Sequence, residues 1–130
     1  MKSVRAKRLM DKLTKGLSWD GNSRKIDNAP ETFMSLHIGV AYETELGKVF
    51  YLVHYGEQNG DLMADPEMHF LQLKNGEYYP IYYRNDYIGI VNESLQVHGG
   101  GKASLNPREQ KDQAKFANTW LTNIRRQQKM

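Results

Sequence analysis

Cysteine is absent from all 130 residues, and with it go disulfide scaffolds, Cys-ligated zinc, iron–sulfur clusters and thiol nucleophiles. A chain without thiols suits a reducing compartment, so the cytoplasm is the expected address. Long apolar runs are missing too. Nothing approaches the roughly 18 uninterrupted apolar residues of a membrane span, and the basic N-terminus MKSVRAKRLMDKLTKGLSW has no apolar signal region. Catalytic signatures are equally scarce. The histidines His37, His54, His69 and His98 form no HxxxH pair, no Ser sits in a nucleophile elbow, and there is no Gly-rich phosphate cradle, zinc finger or RNP-like motif. Of the four, His54, beside an acidic loop, is the one acid/base candidate.

What is present is enough for one folded domain spanning residues 1–130. Hydrophobic residues at 39% and charged residues at 25% match globular averages, which argues against disorder. The net charge of +3 conceals a segregation. Residues 1–25 carry eight Lys/Arg against two acids, residues 26–101 three against eleven, and residues 102–130 seven against two. Basic ends therefore bracket an acidic middle. They either neutralise it by lying against it or form a bipolar surface.

Periodicity predicts the elements. Ala6, Leu9, Met10, Leu13 and Leu17 recur at helical steps, giving a basic amphipathic helix over about residues 4–17. SWDGNSRKIDNAP then reads as a loop. Met34, Leu36, Ile38, Val40 and Tyr42 alternate with smaller or polar residues as one strand, and a second runs over about 49–55. GEQNGDLMADP reads as a loop over 56–66. EMHFLQL and EYYPIYYR flank Asn75-Gly76, a signal for a type I′ hairpin in which both turn residues need positive φ. A turn at Asn85-Asp86 leads into YIGIVN, and Gly99 to Gly101 close the sheet region, about residues 33–97. Asn106, Pro107 and Glu109 give a full helix start, followed by an apolar stripe of Ala117, Trp120, Leu121 and Ile124 that ends in an exposed RRQQKM. The predicted fold is α+β: an antiparallel meander of about five strands flanked by an N-terminal helix and a C-terminal helix over about 107–127.

Two constellations stand out. Glu57, Asp61, Asp65 and Glu67 gather in the acidic loop, either as ligands for Mg²⁺ or Ca²⁺ or, more simply, as turn residues bonding nearby backbone. The turn YYRNDY offers Arg84 either to an anionic ligand or to one of those loop acids. Seven of the eight tyrosines fall between Tyr51 and Tyr87. They would pack a sheet, or stack bases, but phosphates need cations and this segment is acidic.

GDLMADPEMHF (60–70), YYRNDYIGI (82–90) and the terminal FANTWLTNIRRQ together resemble an uncharacterised domain family of bacterial phages, plasmids and integrative elements. The motifs span roughly residues 50–126, and the resemblance brings a mobile-element context but no activity. It points to Asp61, Asp65, Glu67, Arg84, Asn85 and Asp86 as candidate binding residues on two adjacent loops. In that context the expected role is a small non-enzymatic binding protein acting through a protein partner. A host defence nuclease blocked in counter-defence is one candidate. An alternative is a nucleic-acid-binding accessory protein using Lys7, Arg8, Lys12, Arg125 and Arg126. Another is a metal-dependent enzyme at the acidic loop. No cofactor, resident metal or membrane is expected.

Overall fold

The computed structural model describes residues 4–17, 23–28, 33–97 and 103–130. Lys2, His98, the Gly99 to Gly101 triplet and parts of the expected loop between the first helix and the sheet lie outside them. Helix α1 (Val4–Thr14) buries Ala6, Leu9, Met10 and Leu13, with Leu17 just beyond its end. The left-handed Gly16 ends it, and the Arg24 guanidinium donates to the Leu13 and Lys15 carbonyls, placing a cation at the negative helix terminus.

Six antiparallel strands follow in a meander: β1 (Ser23–Ile26), β2 (Leu36–Thr44), β3 (Gly47–Gln58), β4 (Asp61–Leu73), β5 (Tyr78–Asn85) and β6 (Ile90–Glu93). A separate hairpin, β7 (Leu95–Val97) with β8 (Ala103–Leu105), leads into α2 (Pro107–Gln127). Asn106 caps α2 by accepting from the Arg108 and Glu109 amides, with Pro107 at the start, as expected.

Several expectations need correction. Ser23–Ile26 is a strand, not loop. Residues 56–66 are not a loop either. β3 and β4 run on to a two-residue turn at Asn59 (φ 53°) and Gly60 (φ 85°), both left-handed as a type I′ turn requires. At Asn75-Gly76 only Gly76 has positive φ, and the Gly76 amide donates to the Leu73 carbonyl, so this turn is the longer kind with one left-handed glycine. The terminal RRQQKM is not wholly exposed. Gln128 is fully buried, accepts from the Asn28 amide and donates to the Met34 carbonyl, tying α2 to both flanks of the β1–β2 connection.

Both helices lie on one face of the sheet and touch each other. Leu36, Ile38, Phe50, Leu52, Met68, Phe70 and Tyr78 meet the apolar stripes of α1 and α2 there. Tyr78 fastens α1: its hydroxyl donates to Asp11 at 2.7 Å, accepts from Gln72 and lies 3.1 Å from the Thr14 hydroxyl. Burial, foremost, pushes Tyr78 up to about 12, so it stays a neutral donor. On the opposite face Leu95 of the small hairpin closes over Val49, Leu71 and Ile81 at one end of the sheet. Trp120 packs against the buried His54 and donates its indole N–H to Nδ1 at 3.3 Å.

Removing the Trp120 ring should cost roughly 3 to 5 kcal/mol, because it is buried and its loss leaves a cavity. Urea unfolding of Trp120→Ala checks this. His54 gives a pH signature. Burial lowers its pKa from 6.5 to about 4, so the unfolded chain takes up the proton first. His54's contribution to stability is therefore fully present above pH 6.5 and is lost at up to about 1.4 kcal/mol per pH unit as pH falls toward 4. Urea midpoints for the protein and for His54→Gln across this window should converge in pH dependence only for the variant's remaining groups, with a shallower slope in the variant.

Candidate functional site

The first half of β4 and the β5–β6 turn do meet, held by backbone and side-chain bonds. The Asp86 carboxylate accepts from the Ala64 amide at 2.7 Å through Oδ2 and from Arg84 Nε at 2.6 Å through Oδ1. The Asp86 amide returns a bond to the Ala64 carbonyl, Asn85 Nδ2 donates to Asp65 Oδ1 at 3.1 Å, and Asn85 Oδ1 accepts from the Tyr87 amide. The Asp65–Pro66 bond within this join is cis. The Tyr87 ring closes over Gly56, where a Cβ would run into its hydroxyl. Asp86 is held below the usual carboxylate range by the Ala64 amide first and Arg84 second. Arg84 was expected to pair with a loop acid, but its partner is Asp86, two residues on. A two-residue reach along one chain outcompetes a longer one because less chain must be ordered.

Of the six candidates, Asp65, Asn85, Asp86 and Arg84 thus belong to one join, whereas Asp61 stands apart at the β3–β4 tip opposite Gln58. Glu67 sits opposite Arg84 across β4 and β5 but bonds His69 Nε2 at 2.7 Å rather than the guanidinium. Glu57, Asp61, Asp65 and Glu67 therefore do not converge, and among the described residues no three His, Cys, Asp or Glu are grouped as a metal ion would require.

The register across the sheet assembles something that residue spacing alone did not show. Because side chains alternate between faces, the face away from the helices carries two adjacent rows. One runs Gly39, Tyr51, His69, Tyr82, Glu93 and the next His37, Val53, Glu67, Arg84, Val91. The His69 ring stacks on Tyr82 at 4.2 Å, and His37 meets Tyr55 edge-on at 5.3 Å with Ser35 Oγ 3.3 Å from its Nε2. Tyr51 lies over Gly39, where a Cβ would collide with its ring. Burial raises the pKa of Tyr82 and Tyr55, with Glu67 second in both, and burial followed by Lys25 lowers His37. This half-buried patch is aromatic, with Glu67, Arg84 and Glu93 as the charged side chains of its two rows. His54, the acid/base candidate, is not on it; His54 is packed under α2 instead.

Electrostatically the molecule is layered. The described residues of α1 and its end carry five Lys/Arg against one acid, α2 and its end six against two, and the sheet, residues 23–97, five against ten. Arg5, Arg8, Lys12 and Lys15 recur at helical steps on the exposed side of α1. Arg108, Lys111, Lys115 and Arg126 do the same on α2, with Arg125 also exposed and Lys129 exposed just past its end. Lys7 is engaged with Asp11 at 3.1 Å.

The sequence matches the family described as Domain of unknown function (DUF6908) over residues 5–130. The chain belongs to this family. The match takes in α1, well beyond the segment that the loop motifs span. No curated protein and no solved structure matches the chain. No helix among the described residues is long and apolar enough to cross a membrane.

The loop join of this DUF6908 chain separates two effects. Asp86→Ala strips a backbone amide and a guanidinium of their acceptor and should cost about 1 to 3 kcal/mol. Arg84→Ala removes only an exposed pair and should cost less than about 1 kcal/mol. Thermal unfolding of both variants would test the order, and equal losses would contradict it.

Proposed function

We propose that this chain is a non-enzymatic nucleic-acid-binding accessory protein that grips phosphates with the outer face of its helical layer. The observation that supports this most is the convergence of the two basic stripes. α1 and α2 come from opposite ends of the chain, yet pack side by side on one face of the sheet with their Lys and Arg outward. Cations in such an array release counterions from a polyanion, which is the main source of sequence-independent affinity. The 21 residues of α2 span about 30 Å, close to one turn of duplex DNA. In the phage, plasmid or integrative-element setting that the motifs suggest, element maintenance is a fitting task for such a protein.

The reading through a protein partner, such as inhibition of a host defence nuclease, draws on the acidic middle. Those acids divide between the two ends of the sheet: Glu43, Glu45 and Glu77 lie by the β2–β3 and β4–β5 turns, Glu57 and Asp61 by the β3–β4 turn. A divided set imitates a phosphate backbone less well than the basic layer fits one, which is why nucleic acid is preferred.

Gel shifts with random single- and double-stranded oligonucleotides at two salt concentrations test the proposal. Affinity should fall steeply with salt. The triple variant Lys12→Gln, Lys115→Gln, Arg126→Gln should lower the slope of log affinity against log salt by about three if all three touch duplex phosphates, with an unchanged melting temperature. No shift at low salt would overturn the proposal. Recovery of a protein from nuclease-treated bacterial lysate, lost on neutralising Glu57 and Asp61, would favour the inhibitor reading instead.

A further inference from the structure

The two edges of the sheet are built differently. β1 carries Arg24 and Lys25, and Arg24 is spent on the end of α1. β6 is exposed along all four of its residues, and no described strand pairs with its outer side. Its only charge is Glu93, at one end. It has none of the lysines, prolines or bulges that usually keep an edge from pairing. The rim is apolar instead: Ile88 is 62% exposed, Val91 59%, Ile90 39% and Phe116 39%. Gln113 of α2, itself buried, donates to the Asn92 carbonyl at 3.0 Å and accepts from Ser94, so the strand is held in place as it is presented.

We infer that β6 pairs antiparallel with β6 of a second copy of this chain, joining two sheets about a two-fold axis normal to the sheet. The height of the apolar rim selects a second copy over a lone peptide strand. Val91, opposite Arg84, lies on the face away from the helices, while Ile90 shares the helix side with Asn92, opposite Tyr83. Phe116 stands in the helical layer above, edge-on to Tyr83 at 5.0 Å. An added strand reaches only the sheet layer and leaves Phe116 wet. A second copy brings its own α2 at the same height.

The spacing fits this arrangement. α2 lies over β5, and three strand spacings separate β5 from its counterpart, about 14 Å at about 4.8 Å each. That gap is wider than a direct helix contact and leaves room for the two Phe116 rings. Charge fits as well, because antiparallel pairing sets the two Glu93 at opposite ends of the shared ladder. A two-fold contact uses the same edge on both copies, so it closes and leaves the charged β1 edges outermost. It also puts both basic helical layers on the same side. The pairing itself does not depend on nucleic-acid binding.

Sedimentation velocity on the protein alone, across the micromolar range, tests this independently of any nucleic acid. The expected species is twice the 15.1 kDa of one chain. Val91→Lys and, separately, Phe116→Glu should each shift it to a single chain that still unfolds cooperatively, at a melting temperature lower by the stabilisation that the pairing supplied and no longer dependent on protein concentration. Phe116→Glu lies on a helix and keeps the test open if the strand variant fails to fold. A single-chain mass for the unaltered protein at every concentration would overturn the inference, as would a dimer indifferent to a folded variant.

Discussion

The register between β3 and β4 is the constraint on which the rest of the molecule depends. With Phe50 opposite Phe70 and Leu52 opposite Met68, the apolar set faces the helices, while Tyr51 and His69 face away. Side chains alternate strictly, so a slip of one residue would turn every one of these to the wrong face. Two features pin it. The Asn59-Gly60 turn fixes the pairing at one end through its left-handed pair, and a register shift between Val53 and Tyr55 brings Tyr55 opposite Ala64, the residue that the Asp86 carboxylate then holds. The join of the two motif loops is thus a consequence of where β3 and β4 are aligned.

Segregation of charge follows from the same arrangement. A sheet with one face buried under two helices has to leave the opposite sides of those helices in water, and that is where the Lys and Arg of both chain ends are found. Most acids in the meander fall at turns and strand ends, where carboxylates can be solvated or bond to backbone, while Asp65 and Glu67 within β4 pair with the Asn85 and His69 side chains. The acidic middle and the basic ends do face each other across the molecule, but the apolar core separates them. The ion pairs among the described residues are accordingly local, as with Lys7 and Asp11 within α1, Lys25 and Asp27, and Arg84 and Asp86.

Much of this was legible in the chain, and the misses have physical reasons. α2 could be read because its cap, its Pro and a full apolar stripe agree. Asn59-Gly60 carried the same turn chemistry as Asn75-Gly76, but a cluster of acids and a proline around it suggested loop, and the long strands on either side were cut short. β1 has four residues, two of them charged, too few for a period to show; its existence rests on β2 offering an open edge. β7 and β8 have three residues each and are defined by their mutual pairing and by Leu95 closing on the core. The burial of Gln128 could not be anticipated from a polar tail, since a glutamine is hidden only when backbone groups distant in sequence, here at Asn28 and Met34, take up its donor and acceptor.

The candidate site was legible as a set of residues but not as an arrangement. Acids gathered beside an arginine invite a binding interpretation, yet Asp65, Asn85 and Asp86 spend their polar groups on one another and on backbone at Ala64 and Tyr87. A carboxylate engaged by an amide and a guanidinium has little left for a ligand. What the join does is hold the β5–β6 turn against β3 and β4, with Tyr87 seated on Gly56. Because β6 begins just past that turn, at Ile90, the join also sets where the apolar edge lies relative to the helical layer. Asp65, Asn85 and Asp86 therefore act on the molecule's surfaces at one remove, by fixing where β6 lies.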